Sequence, residues 1–122
     1  MLRKQITYTD YNDVLRTEDF YFNLSKAEIA DLELMTPGGL EYTIKKMIQT
    51  EDRPGLVTLF KKIILESYGE KSPDGKRFMK NPELSKAFSE TEAFVELYME
   101  LVTDAKAASA FINAIVPQKQ PE

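Results

Sequence analysis

The sequence predicts an α+β fold, mostly α, in which an N-terminal β-hairpin is followed by about five to six short helices packed as one small domain. The 122 residues are 43% apolar and 30% charged, which suits one hydrophobic core but not two. β-Branched and aromatic residues are concentrated in the first 22 positions, and apolar residues at helical spacing follow. We expect a single domain over 1–117, with a hairpin in 1–23 and helices in 24–117, and a flexible tail over 118–122.

The hairpin prediction rests on two β-rich runs, 5–9 and 14–22, that flank a polar cluster at 10–13. Asp and Asn tolerate positive φ, so this cluster suits a turn. At the end of the second strand the side chains alternate between an apolar face and a more amphipathic one. A lone hairpin is marginally stable, so it must pack on helices or add its edge to another chain. The predicted edge-strand contact residues are Phe20, Tyr21 and Phe22.

The first helix is marked by Ser25 and by Glu28 three residues later, a capping box that places the helix at about 26–35. A second helix is expected after Thr36 and Pro37, which can act as its cap and first residue. The Pro-Gly-Gly segment that begins there matches neither a P-loop nor a dinucleotide motif.

A third helix is expected from Arg53 to Tyr68, with Gly69 as its C-terminal glycine cap. Its apolar residues occupy about half of the helical circumference, which indicates the central and most buried helix. The remaining segments are predicted as a loop over 70–81 and helices over 82–88, 90–102 and 104–116.

The last three helices also carry N-cap signals. Asn81 with the proline that follows it suits the start of the fourth helix, and Ser89 with Glu92 forms a second capping box. Either Thr103 or Asp104 is expected to cap the last helix.

Composition excludes several classes of function. The chain has no cysteine and no histidine, so thiol nucleophiles, disulfides, Cys/His zinc sites and serine–histidine triads are absent. The net charge is -4 and each half of the chain carries eight basic and ten acidic residues, so no basic arm for a nucleic acid is expected. No apolar run is long enough for a signal peptide or a membrane span, and we expect a cytoplasmic protein that does not bind membranes.

The charged clusters suggest no catalytic or metal-ligating residues and no cofactor. The hairpin acids lack a recognisable buried pair that would shift a pKa, and they predict no carboxylate chemistry. The loop 71–80 has an excess of positive charge around Phe78, which faintly resembles a nucleic-acid contact, but a solvated loop that complements an acidic helix explains it better.

The helix over 90–102 offers a candidate contact surface. Glutamates recur there at every fourth residue, a spacing typical of a solvated face or of a contact with a basic partner. Its apolar residues extend over an arc of roughly 200°, wider than one core easily covers, and an alanine-rich helix follows. Burial by neighbouring helices is the alternative. The predicted client or subunit contact residues are Val95, Met99, Val102, Phe111, Glu92, Glu96 and Glu100.

The order of segments resembles the tail assembly chaperones of long-tailed bacteriophages and prophages of Gram-positive bacteria. The likeness runs over about residues 5–117, and its most specific stretches are TEDFYFNLSKAE, SYGEKSPDGKRF and FSETEAF. It implies a non-enzymatic helper that binds the long, helical, apolar tape measure protein until the tail tube assembles, and that is absent from the virion. It also implies a longer, frameshifted form that extends the chain after Pro117. The hairpin edge further suggests a homo-oligomer, because an unpaired strand can add to another chain.

Three other classes of protein fit the sequence less well. A small structural tail or head-to-tail completion protein would share the size, the acidity and the lack of catalytic residues, but tube proteins need more sheet than the first 22 residues predict. A nucleic-acid-binding regulator is disfavoured by the charge. A carboxylate enzyme lacks a recognisable site.

Overall fold

The structure is a computed structural model that describes residues 1–35 and 38–117. Its four strands are Leu2–Thr9 (β1), Leu15–Phe22 (β2), Tyr68–Lys71 (β3) and Phe78–Met79 (β4). Its six helices are Lys26–Met35 (α1), Leu40–Gln49 (α2), Arg53–Ser67 (α3), Pro82–Ser89 (α4), Glu92–Thr103 (α5) and Ala105–Ile115 (α6). The predicted fold class is confirmed, because an N-terminal hairpin is followed by six helices around one hydrophobic core.

The hairpin is regular from end to end. Its two strands pair antiparallel from Leu2 opposite Phe22 to Thr9 opposite Leu15. In the turn, the carboxylate of Asp10 accepts hydrogen bonds from two backbone N–H groups at 2.8 and 3.0 Å, and the φ of Asp13 is 60°. The predicted turn is therefore confirmed, together with its left-handed residue.

The segment predicted as a loop over 70–81 contains two short strands, and this prediction is corrected. β3 pairs with the end of β2, and β4 pairs with β3, which gives a sheet in the order β1-β2-β3-β4. Gly69 is not a helix cap, since α3 ends at Ser67 and the chain is already extended at Tyr68. A Cβ on Gly69 would lie 2.7 Å from the carbonyl oxygen of Met79, so glycine is needed where β4 approaches.

The predicted helix caps are mostly confirmed. The N–H of Ser25 donates to Oε1 of Glu28 at 2.9 Å, and the N–H of Glu28 donates to Oγ of Ser25 at 3.2 Å. Oδ1 of Asn81 accepts the N–H of Leu84 at 2.8 Å, and Asp104 rather than Thr103 caps α6. The predicted cap and first residue of α2, Thr36 and Pro37, lie outside the described residues.

The second predicted capping box, with Ser89 as N-cap, is wrong. α4 continues through Ser89, whose Oγ donates to the carbonyl oxygen of Lys86. The N–H of Thr91 then closes the turn on the carbonyl of Phe88, and Oγ1 of Thr91 caps α5 by accepting the N–H of Phe94 at 3.2 Å. Ser89 and Thr91 both carry a hydroxyl that could cap α5. Thr91 is the cap, because it follows the turn that ends α4.

Aromatic rings form the centre of the core. Phe22 is fully buried, and its ring centroid lies 5.8 Å from Tyr68, 5.7 Å from Phe88 and 5.3 Å from Phe111. The rings of Tyr68 and Phe88 stack at 4.2 Å. Because these rings come from β2, the start of β3, α4 and α6, the cluster joins the sheet to two helices.

The most buried helix is α5 and not α3, which corrects the expectation from helical periodicity. α5 buries Ala93, Phe94, Leu97 and Leu101, and it packs against β1, α3 and α6. α3 buries Ile63, Ile64 and Ser67 in a longer helix, while its remaining apolar residues are half-buried. The sheet covers one side of α5. The burial of this side cannot be predicted from helical periodicity, because it depends on where the hairpin packs.

One charged contact ties α1 to the segment that follows β4. Nζ of Lys80 donates to Oε2 of Glu28 at 2.7 Å and to the carbonyl oxygen of Asn23. Burial raises the pKa of Glu28, but the bonds from Lys80 and from the N–H of Ser25 lower it more, so that it lies below its ordinary value of 4.5.

We expect Phe22→Ala to lower the free energy of unfolding by about 3 to 5 kcal/mol, because it leaves a cavity against three rings. Leu15→Ala, at an exposed position of the same strand, should change it by less than about 0.5 kcal/mol. Urea unfolding followed by circular dichroism measures both. Equal effects of the two substitutions would contradict a core centred on Phe22.

We expect Glu28→Gln to destabilise the protein at neutral pH and to lose this effect in acid. The amide still accepts the capping bond, but the charge that pairs with Lys80 is gone. The stabilisation is complete above the unfolded-state pKa and is lost as the pH falls through the lower folded-state pKa. Its size should stay below about 1 kcal/mol, because the carboxylate is partly exposed. Unfolding curves at pH 7, 5 and 3 test this, and a constant difference would contradict it.

Candidate functional site

The outer face of α5 is held in place by contacts at both ends of the helix. Near its start, the hydroxyl of Tyr11 in the hairpin turn donates to Oε1 of Glu92 at 2.9 Å. Near its end, Nζ of Lys4 in β1 donates to Oε1 of Glu100 at 3.1 Å. α5 therefore runs antiparallel to β1, and two of the three predicted contact glutamates already have partners within the chain.

The third glutamate, Glu96, lies between these two on the same face. Its side chain is exposed and makes no hydrogen bond or ion pair with any residue in the described part of the chain. Glu92 and Glu100 each use one carboxylate oxygen in the contacts above, and the side chain of Glu100 remains 42% exposed. Together these residues form the acidic row of α5, with Glu96 as its least engaged member.

Beside the acidic row lies an apolar stripe. Val95 is 40% exposed and Met99 is 49% exposed, while Val102 is half-buried. Their spacing of four and three residues places them on one side of the helix, along about 10 Å of its length. We call these three residues the α5 stripe.

The α5 stripe ends in an open groove of about 560 Å³ between the α2–α3 pair and the α5–α6 pair. The sequence does not predict this groove, because four helices from separate parts of the chain line it. Ile48 stands at its rim with 59% of its surface exposed. The apolar residues that line the α2–α6 groove include Ile44, Ile48, Val57, Phe60, Val102 and Ile112.

Phe111, which was predicted to belong to this contact surface, is buried instead. It is 4% exposed, and its ring packs on Phe22. The face of α6 that carries it also carries the buried Ala108 and Ile115, and the exposed face is formed by smaller and polar residues such as Lys106 and Ser109. Phe111 is therefore part of the core and is not exposed for the predicted contact.

The predicted edge-strand contact at residues 20–22 is also corrected. Tyr21 pairs with Gly69 and Phe22 pairs with Tyr68, so β3 occupies this part of the strand, and Phe22 is buried. Phe20 is half-buried, with its ring 5.4 Å from that of Phe88. The edge of the sheet in this region is β1, which is the outermost strand.

The charged residues of the hairpin serve its structure. The guanidinium of Arg16 binds the carboxylate of Asp10, and this contact lowers the pKa of Asp10. The hydroxyl of Tyr8 donates to Glu18, which raises the pKa of Tyr8. Among residues 1–35 and 38–117, no group of three or more acidic side chains is placed to hold a metal ion.

The basic loop between β3 and β4 is a structured turn. The carboxylate of Asp74 accepts the hydroxyl of Ser72 at 2.6 Å and the N–H of Lys76 at 3.0 Å. Nζ of Lys71 lies 5.3 Å above the ring of Tyr21, and Lys80 binds Glu28. Two of the cations are thus engaged within the chain, which weakens the nucleic-acid interpretation of this loop. No helix in the described ranges has the length and apolar character needed to cross a membrane.

The comparison with protein families agrees with the resemblance seen in the sequence. A family model described as "Phage tail assembly chaperone" matches residues 1–121. No curated protein and no solved structure matches the chain. Because the family match extends over nearly the whole length, and over both the hairpin and the helices of the fold described above, the chain belongs to the phage tail assembly chaperone family.

Proposed function

We propose that this tail assembly chaperone binds the tape measure protein of its phage, keeps it soluble until the tail tube assembles around it, and is absent from the finished virion. Membership in the family supports a role in tail assembly. The observation that carries the finer proposal is the apolar surface formed by the α5 stripe and the α2–α6 groove. A long client with apolar helical faces needs a surface of this kind to cover them.

The side chains of the α5 stripe suit a client with a varied sequence. Met99 is flexible and polarizable, so it can adapt to different apolar neighbours. Val95 and Met99 are exposed although the opposite face of the same helix, with Leu97 and Leu101, is closely packed. The stripe can therefore contact a client without any opening of the core.

The family also supports action by binding and not by catalysis. We place the protein in the cytoplasm of the host cell, where tails are assembled, and assign it no cofactor. We further propose that residues 1–117 form the chaperone domain and that a frameshifted longer form continues the chain after Pro117. The tail predicted over 118–122 lies outside the described residues. Self-association through the outer edge of β1 would allow several copies to act on one client.

A small structural tail or head-to-tail completion protein remains the second candidate. The four-stranded sheet favours a structural protein more than the predicted two-stranded hairpin does. Its outermost strand, β1, offers an edge to which another copy of the chain could add a strand. Analysis of purified tails by mass spectrometry separates the two. The chaperone proposal requires that the protein be missing from them.

We expect co-expression with the tape measure protein to move that protein into the soluble fraction and to recover it on the tagged chaperone. In the double variant Val95→Asp, Met99→Asp the amount recovered should fall at least about tenfold, because the contact would bury two unpaired charges. The measurement is affinity purification followed by quantitative mass spectrometry.

The matched control is Leu34→Asp, Met35→Asp, which changes one aliphatic residue and one methionine at exposed positions of α1. It should leave recovery unchanged, and both double variants should keep the circular dichroism spectrum of the parent chain. If the client is equally insoluble with and without the chaperone, the proposed function is wrong. If the α5 variant still binds, the client uses another surface.

A further inference from the structure

We propose that the α2–α6 groove and the adjoining α5 stripe bind one amphipathic helix of the client, and that this helix carries Lys or Arg along the side that faces the acidic row of α5. This inference rests on the proposed function, which supplies the client. It adds the secondary structure and the charge pattern of the bound segment. Three properties of the surface lead to it.

The first property is shape. The stripe runs along about 10 Å of α5 and leads at Val102 into the groove, whose volume of about 560 Å³ is within the range of clefts that enclose several apolar groups. Ile48 stands on the far wall of the groove with most of its surface exposed. Apolar side chains spaced by three and four residues on a bound helix would fill a groove of this form.

The second property is the lack of backbone partners. The walls are the helices α2, α3, α5 and α6, and away from the helix ends their main-chain groups are bonded within each helix. The hydroxyl of Thr103, which also lines the groove, donates to the carbonyl oxygen of Met99 at 2.6 Å. An extended client strand would leave its own backbone unpaired here, whereas a helix satisfies its backbone internally.

The third property is the charge at the borders. Glu96 has no partner in the described part of the chain and lies in the acidic row, next to the α5 stripe. Arg53, from the start of α3, lines the groove on the other side. A client helix with basic residues on one flank and an acidic residue near Arg53 would complement both borders. This charge pattern fixes how the bound helix is rotated about its own axis in the groove.

Two synthetic peptides of about 20 residues test the proposal with the full chain. Both carry the same apolar stripe, and they differ only in Lys or Glu at the flanking positions. Fluorescence anisotropy should show that the Lys peptide binds at least about tenfold more tightly than the Glu peptide, with a difference that shrinks as salt is added. Equal binding, or tighter binding of the Glu peptide, would overturn the charge assignment.

Two single variants locate the site. Ile48→Asp should weaken binding of the Lys peptide at least about tenfold, because it places a charge in the apolar contact. Glu96→Lys should weaken the Lys peptide by about fivefold and strengthen the Glu peptide, and its exposed position leaves the fold unaffected. Leu34→Asp on α1 serves as the control and should change neither affinity more than about twofold. Unchanged binding in Ile48→Asp would overturn the groove as the site.

The outcomes also separate this inference from the proposed function. If the tape measure protein is kept soluble on co-expression but neither peptide binds, the chaperone role stands and the groove assignment fails. If the peptides bind as expected but the tape measure protein is not recovered, the groove is a helix-binding site and the tape measure protein is not the client. If sedimentation shows an oligomer that Ile48→Asp converts to monomer, a second copy of the chain occupies the groove and the inference is overturned.

Discussion

The contact between Phe22 and the rings around it determines most of the architecture. Phe22 ends β2, and its neighbours come from the start of β3, from α4 and from α6. This one buried side chain therefore fixes where the hairpin meets the helical part of the chain. Once the hairpin is fixed, α5 has a sheet to pack on, and its opposite face becomes the exposed one. The candidate surface is thus a consequence of the core and not a separate addition to it.

The sequence predicted the features whose causes are local. Ser25 and Glu28 lie three residues apart and satisfy each other's backbone, so their pattern alone identifies the start of α1. Asn81 works in the same way, and so do the polar residues of the hairpin turn. These signals depend only on neighbouring residues, so the local sequence is sufficient to predict them.

Apart from the cap of α5, where Thr91 replaces the nearby Ser89, the errors concern residues whose role depends on distant partners. Gly69 looks like a helix cap in its local sequence, but its conformation is decided by pairing with Tyr21 and by the approach of β4. Phe111 lies on a helix whose sequence has only a narrow polar strip, and only the position of Phe22 shows which side is internal. The groove could not be predicted at all, since Ile48 and Val102 come from separate helices that only the tertiary fold brings to one groove. The exposure of Val95 and Met99 agrees with the prediction made for them, and their role in binding remains a proposal.

The short reach of the α5 stripe has a consequence for the number of copies that must be made. A stripe of about 10 Å covers roughly seven residues of a helix laid beside it. Under the proposed function, a client many times longer would need many chaperone molecules along its length at the same moment. Dosage, and not turnover, would then limit the assembly of tails. The ratio of chaperone to client that the infected cell must synthesise would then be set by the length of client that each copy covers.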